Sequence, residues 1–329
     1  MEPPRESPAS VAAVAAAAMV VAVAAAAAEA SAPRAPALDC RPRSRTALRV
    51  TGFHAVANRG GGTVSLVDPD AGAVVNDYEL PGGGEPMTGS STSWPVPSGG
   101  TVWTACDRAN VTVVHDVTTH TRLATIPLPR AVARVGGVPH DTISNDRFGY
   151  VSYIKNADGA GYVGVYDLVE FSLRRLVKNA ADPLIGLFAD SDVVLAAQGG
   201  MVSTYTQGLR GEAPATLHTT QPSPHGVAVS TDGQHAYTSN FAGGGDDAIV
   251  THRLGADGAA DAPQRGCPPI HTSRPTPHSL SLTSDDRVLL VTHSGANSTA
   301  VGLWDVDDDG CVVAGWERLV ETGNHPFGV

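Results

Sequence analysis

PSPHGVAVSTDGQHAYTSN (residues 222–240) and PTPHSLSLTSDDRVLLVTHSG (residues 275–295) are two copies of one unit. Each opens on Pro-His and runs through a strand of alternating residues to a polar Asp/Gly or Asp-Asp turn. A second strand then leads to an Asn or Gly loop. Alternation over six or so residues, bounded by turn chemistry on both sides, reads as a β-hairpin and not as a helix. Working outward, the opening proline recurs at Pro86, Pro139, Pro183, Pro224, Pro277 and Pro326, spaced roughly 41 to 53 residues apart, the length of one four-stranded blade in a radial repeat.

A second register runs through the same units. TVSLVD (63–68), VTVVHD (111–116), YVGVYD (162–167) and AVGLWD (300–305) each read as a third strand closed by Asp. The alternating Val, Tyr, Trp and Thr suit a half-buried pleated surface, and the Asp can accept amide bonds in the following turn. Residues 184–207 keep the strands but lack both the opening His and the closing Asp, and read as a degenerate blade. Residues 256–274, rich in Ala, Pro and Gly, predict a long loop or a ragged outer edge. The GGG of residues 60–62 predicts a hairpin bend. The fold class is therefore all-β, a β-propeller of four-stranded antiparallel blades with about six repeats visible. The chain stops at HPFGV (325–329), where a new inner strand begins. Either residues 325–329 return to the first blade, whose other strands run from Phe53 to Leu80, and close a six-bladed ring, or a seven-bladed ring is truncated.

Composition agrees. The 329 residues are 42% hydrophobic with 36 Gly and 24 Pro, enough for a sizeable core and for many short strands joined by tight turns. Helical periodicity is absent beyond the first thirty residues. The net charge of -11 has no basic block beside it, which excludes nucleic acid and anionic membrane surfaces as partners. Four cysteines, Cys40, Cys106, Cys267 and Cys311, lie far apart without a CxxC, against a zinc ribbon or a thioredoxin-like motif. Disulfides are compatible with this, and their pairing is not readable.

Residues 11–27 are an unbroken run of Ala, Val and one Met, followed by Ala28-Glu29-Ala30. This predicts a signal peptide over residues 1–30 cleaved after Ala30, a tail over 31–50, and a propeller over 51–329. The mature chain is then secreted or extracytoplasmic. An N-terminal membrane anchor is the lesser reading, because alanine contributes little transfer energy. Asn110-Val-Thr and Asn297-Ser-Thr would be open to glycosylation in a eukaryote.

Residues 56–81 (VANRGGGTVSLVDPDAGAVVNDYELP) and residues 222–240 resemble YVTN-type β-propeller repeats. Residues 239–263 and 276–310 are similar to the lactonase family, seven-bladed propellers that include 6-phosphogluconolactonases. Together these likenesses span nearly all of residues 51–329. They imply the fold strongly and the chemistry weakly, because one scaffold serves unrelated functions. A Pro-Arg-His motif is usual in lactonases where this chain reads Asn324-His325-Pro326-Phe327.

In a four-stranded antiparallel blade the start of the first strand and the end of the second share one edge. His140, His225 and His278, each directly after its proline, and His325 just before Pro326, would therefore ring the channel mouth. Asn58, Asp107, Asn156, Asn240 and His293 would lie on the same face. Imidazoles from separate blades suit a divalent or copper ion with an open position, so His140, His225, His278 and His325 are candidate metal ligands. A lactonase would need His225 or His278 as base and Asp107 or Asp141 as the orienting carboxylate. Arg147 and Arg287 fall at the opposite edge. The acidic turns 244–247 and 307–310 lack EF-hand spacing. The expected function is a secreted, monomeric module binding a small molecule, protein or glycan at its loop-rich face; the alternatives are a lactonase-like hydrolase and a histidine-ligated metal enzyme.

Overall fold

The computed structural model describes residues 52–329, apart from loops at 80–85, 92–99, 180–183, 188–192, 207–214, 219–223, 242–247 and 255–263 and turn positions 117–118, 120, 145–147, 155–156, 158, 199–200, 265 and 296. Strands within 86–91 and 184–218 are described by their backbone. The expected signal peptide, the tail with Cys40, Asn156, Arg147 and the acidic turn 244–247 lie outside the described residues.

Alternating strands and Asp/Gly turns dictate hairpins, and the hairpins stack in series. The first four-stranded sheet contains β1 (His54–Asn58), β2 (Thr63–Asp68) and β3 (Ala73–Glu79). The second holds β4 (Pro86–Ser91), β5 (Thr101–Cys106), β6 (Val111–Asp116) and β7 (Arg122–Pro127). After the helix α1 (Arg130–Arg134) come β8 (Val138–Ser144), β9 (Phe148–Ile154), β10 (Gly161–Asp167) and β11 (Leu173–Asn179). The fourth sheet is β12 (Leu184–Leu187), β13 (Val193–Gln198), β14 (Met201–Thr206) and β15 (Ala215–His218). Next are β16 (Pro224–Val229), β17 (His235–Asn240), β18 (Ala248–Arg253) and β19 (Ile270–His271). The last are β20 (Pro277–Leu282), β21 (Val288–His293), β22 (Ala300–Val306), β23 (Val312–Glu321) and β24 (Pro326–Gly328).

Strand order makes these the blades of a β-propeller. Among the described residues, five sheets run in sequence order, while a sixth takes the last strand of the chain, in the order β24-β1-β2-β3. Asn58 pairs with Pro326 and Ala57 with Gly328, so the C-terminal strand closes the first blade from the inside. Successive innermost strands touch, β4 with β8, β8 with β12, β12 with β16, β16 with β20, and β24 with both β20 and β4. Closure of this kind ties the C-terminal strand into the same sheet as β1.

The core lies between neighbouring sheets, as flat twisted sheets require. Ala55, Val64 and Leu66 pack on Val102, Cys106 and Val113 between the first and second. Trp103, Val114, Val151, Tyr153 and Tyr166 fill the space between the second and third. Val56 and Val67 meet Leu290, Val301, Leu303 and Val329 across the closure. The helix α1 departs from the expectation of no helix beyond the N-terminus: five residues are too few to leave a periodic signal, and Val132 holds it to the Trp103 cluster. Among the described residues no helix is long and apolar enough to cross a membrane.

Turn chemistry follows the closing aspartates. Oδ1 of Asp68 accepts the amides of Asp70 and Ala71, that of Asp116 the amide of Thr119, and that of Asp167 those of Val169 and Glu170. In the last blade Asp307 takes this part, accepting from the amides of Asp309 and Cys311. That accounts for the 307–310 acidic turn as backbone capping. The Gly-rich bend is a turn as well, with the Gly61 and Gly62 amides bonded to Asn58 O. The ragged stretch around 256–274 yields the two-residue β19 and is pinned by a Cys267–Cys311 disulfide.

Candidate metal centre

Three of the four expected histidines meet at the inner rim. His140, His225 and His278 each follow a proline at the start of an innermost strand, the first residue of β16 and β20 and the second of β8, and each strand is irregular at that point. The register with the second strand shifts between Pro139 and Thr142, between Pro224 and Val227, and between Pro277 and Leu280. A bulge re-aims the side chain beside it. Here it gathers the rings from three separate blades. One nitrogen from each lies within 4.8 Å of the others. Ring centroids are 4.0 Å apart for His225 and His278, 5.9 Å for His140 and His225, and 6.2 Å for His140 and His278.

The bulges are held by hydroxyls on the neighbouring second strands. Ser152 Oγ accepts the Asp141 amide at 2.9 Å, Ser239 Oγ the Gly226 amide at 2.8 Å, and Thr292 Oγ1 the Ser279 amide at 2.9 Å. Two of them also reach the next blade. Ser239 donates to the His278 carbonyl at 2.7 Å and Thr292 to the Phe327 carbonyl at 2.8 Å. Adjacent innermost strands approach so closely here that a Cβ on Gly226 would stand 2.2 Å from the His278 carbonyl oxygen. Glycine is required there for space, and the alternation of the strand gives no hint of it.

Burial decides the protonation state. His278 is 1% and His140 4% exposed. Loss of solvation pushes His225 down to about 3, a contact with the His278 backbone opposing it. His278 falls well below the usual imidazole range, first through burial and then through the fields of His225, His140 and His325; the Phe327 carbonyl pulls the other way. Both rings are neutral at physiological pH and keep a lone pair for a hydrogen-bond donor or a metal ion. Nδ1 of His225 and both ring nitrogens of His278 are buried and make no hydrogen bond of good geometry within the protein. Leaving such a group unsatisfied costs about 1–3 kcal/mol, so an ion or an ordered water is the expected occupant.

Two phenylalanines wall the cluster. Phe241 stacks on His225 at 4.7 Å and meets His278 edge-on at 5.3 Å. Phe327 lies 3.8 Å from His278 and 6.2 Å from His140, centroid to centroid. Phe327 follows Pro326 and so occupies, in the closing strand, the place that histidine has in three other blades. The Arg59 guanidinium sits 5.0 Å from the Phe327 ring centroid and pairs with Asp107 at 3.3 Å.

The remaining candidates go elsewhere. His325 stays outside the three-nitrogen cluster: its Nε2 lies 3.1 Å from the Ser294 carbonyl, and a φ of 58° swings it out of the strand. Asp107 gives Oδ2 to Arg59 and Oδ1 to the Arg108 amide. Asp141 Oδ1 accepts the Thr142 amide. Neither carboxylate joins the cluster. Asn58 turns into its own blade, donating to Ser65 and Thr63, and His293 faces Glu317 at 3.3 Å. Ser152, Ser239, Thr292, Phe241 and Phe327 were missed by sequence reasoning. A signal for the hydroxyls exists: the second-strand residue before the one paired with the opening proline is Ser or Thr in the three histidine blades, and Ala57 or Ala105 in the first two.

These features define a class, a β-propeller with a three-histidine cluster at its channel mouth. No family model matches the chain, and no curated protein matches it by sequence. Solved structures do resemble it. One is a protein of unknown function from Desulfotomaculum acetoxidans, with a TM-score of 0.58, 12% identity and 84% of each chain covered. Another is a candidate 6-phosphogluconolactonase from Bacteroides fragilis, with a TM-score of 0.56, 10% identity, and coverage of 86% of this chain and 99% of that one. A third is the hydrazine synthase of Kuenenia stuttgartiensis, with a TM-score of 0.55, 13% identity, and 83% and 84% covered. At such identities the likeness concerns the fold alone.

Proposed function

We propose that the protein is a secreted ligand-binding β-propeller of the YVTN or lactonase-like kind, and that its ligand is a transition-metal ion held by His140, His225 and His278. The observation that carries this reading is the approach of three nitrogens from three blades to within 4.8 Å of one another. Metal bonds of ~2.0–2.1 Å place ligand nitrogens ~3.3–3.6 Å apart, so binding needs the rings to close by roughly 1 Å. Neutral imidazole is a ligand for copper, zinc, nickel and iron. The Cys267–Cys311 disulfide supports the secreted reading, since such bonds persist in oxidising compartments. Six sheets with an inner C-terminal strand support a six-bladed ring.

The lactonase reading is weaker on physical grounds. An imidazole whose pKa sits at about 3 is a poor base for activating water near pH 7, and Asp107 is occupied by Arg59. The test is metal stoichiometry. The full chain, stripped with a chelator and reloaded, binds one equivalent of ion, and His225→Ala/His278→Ala binds none while remaining folded by circular dichroism. Absence of stoichiometric binding with copper, zinc, nickel and cobalt alike overturns the proposal, as does unaltered binding by the double variant.

A further inference from the structure

Resting on the metal-centre reading, we propose further that the site selects monovalent copper over divalent ions. Among the described residues the cluster contains three histidines and no carboxylate or thiol. A complex formed there carries the full charge of its ion. The electrostatic penalty of holding an ion away from water rises with the square of its charge, so a divalent ion is disfavoured far more than a monovalent one unless an anionic ligand compensates. Among the described residues no carboxylate joins the cluster: Asp107 pairs with Arg59, and Asp141 Oδ1 accepts the Thr142 amide.

The surroundings reinforce the choice. Phe241 and Phe327 lie directly against the rings, giving the site apolar walls. The fourth histidine of the rim is engaged with the Ser294 carbonyl. A filled-shell monovalent copper ion is satisfied by three nitrogens in a plane.

The experiment compares ions on the intact chain. Under anaerobic conditions Cu(I) is titrated against a coloured Cu(I) chelator, and Cu(II), Zn(II) and Co(II) against chelators of known affinity. Cu(I) is expected to bind at one equivalent and at least about 100-fold more tightly than Cu(II) or Zn(II), a preference of two tenfold steps, with X-ray absorption showing a three-nitrogen monovalent site. Phe241→Glu, which sets a carboxylate beside His225 and His278 at a partly exposed position, is expected to narrow the ratio by about tenfold. Equal or tighter binding of Cu(II) or Zn(II) overturns the selectivity while leaving the metal centre standing. An unchanged ratio in Phe241→Glu also overturns it. Failure of every ion to bind overturns the metal centre itself.

Discussion

Ser239→Ala isolates what holds the histidine rim together. The Ser239 side chain is wholly buried and spans two blades, accepting from the Gly226 amide at 2.8 Å and donating to the His278 carbonyl at 2.7 Å. Alanine fits the space but leaves one buried N-H and one buried C=O without that bond, and each such loss costs about 1–3 kcal/mol. Part of this is recovered by small shifts, so a net loss of about 2–4 kcal/mol is expected, near the upper half of single-substitution effects. For a domain of this size 1 kcal/mol moves the melting temperature by about 2 °C, which gives a fall of roughly 4–8 °C by calorimetry. The same change loosens the backbone beneath His225 and His278 together, so affinity for the ion falls with stability. A melting temperature within about 1 °C of the parent, combined with unaltered metal affinity, would refute the claim that this hydroxyl couples the blades.

Two further outcomes follow from the structure. Burial lowers His54 and His252 to about 4, below their unfolded value of 6.5. The unfolded chain thus binds more protons than the folded one in that window, and the stability from keeping these rings neutral is complete above pH 6.5 and is lost as pH falls towards 4. The loss reaches up to about 3 kcal/mol for each ring at 1.36 kcal/mol per pKa unit. Urea titrations at pH 7.5, 6 and 4.5 measure it; a midpoint that stays constant or rises on acidification contradicts the burial argument. Cys267→Ser/Cys311→Ser removes a link across 44 residues and should destabilise by about 2–5 kcal/mol. The two-residue β19 has little pairing of its own, so amide exchange should accelerate there first, and uniform exchange across the last two blades would count against this.

Legibility in the sequence differed from feature to feature. Blades could be read because alternation and turn residues act over a few positions, and the Pro-His opening already marked the rim. Cys106 could be read as present but not as inert: its thiol is pushed up to about 12 by burial and by Asp107, facts of the folded environment. The same holds for the disulfide, since Cys267 and Cys311 become neighbours through the docking of a loop that has no periodic pattern. His325 was grouped with the other histidines by proximity to a proline, yet its left-handed backbone turns it towards Ser294. Phe327 went unnoticed because its position after Pro326 acquires meaning once β24 is the inner strand of the first blade.

By itself, the sequence determined that this is a repeated four-stranded blade with histidines at equivalent positions, because strand periodicity and turn chemistry are local. Tertiary structure alone decided which rings converge, since that depends on bulges, on Ser239 and Thr292 reaching across to the next blade, and on the closing strand. It also decided that the His225 and His278 rings are neutral and that the cluster is walled by phenylalanine, because desolvation belongs to the assembled rim and to no single segment of the chain.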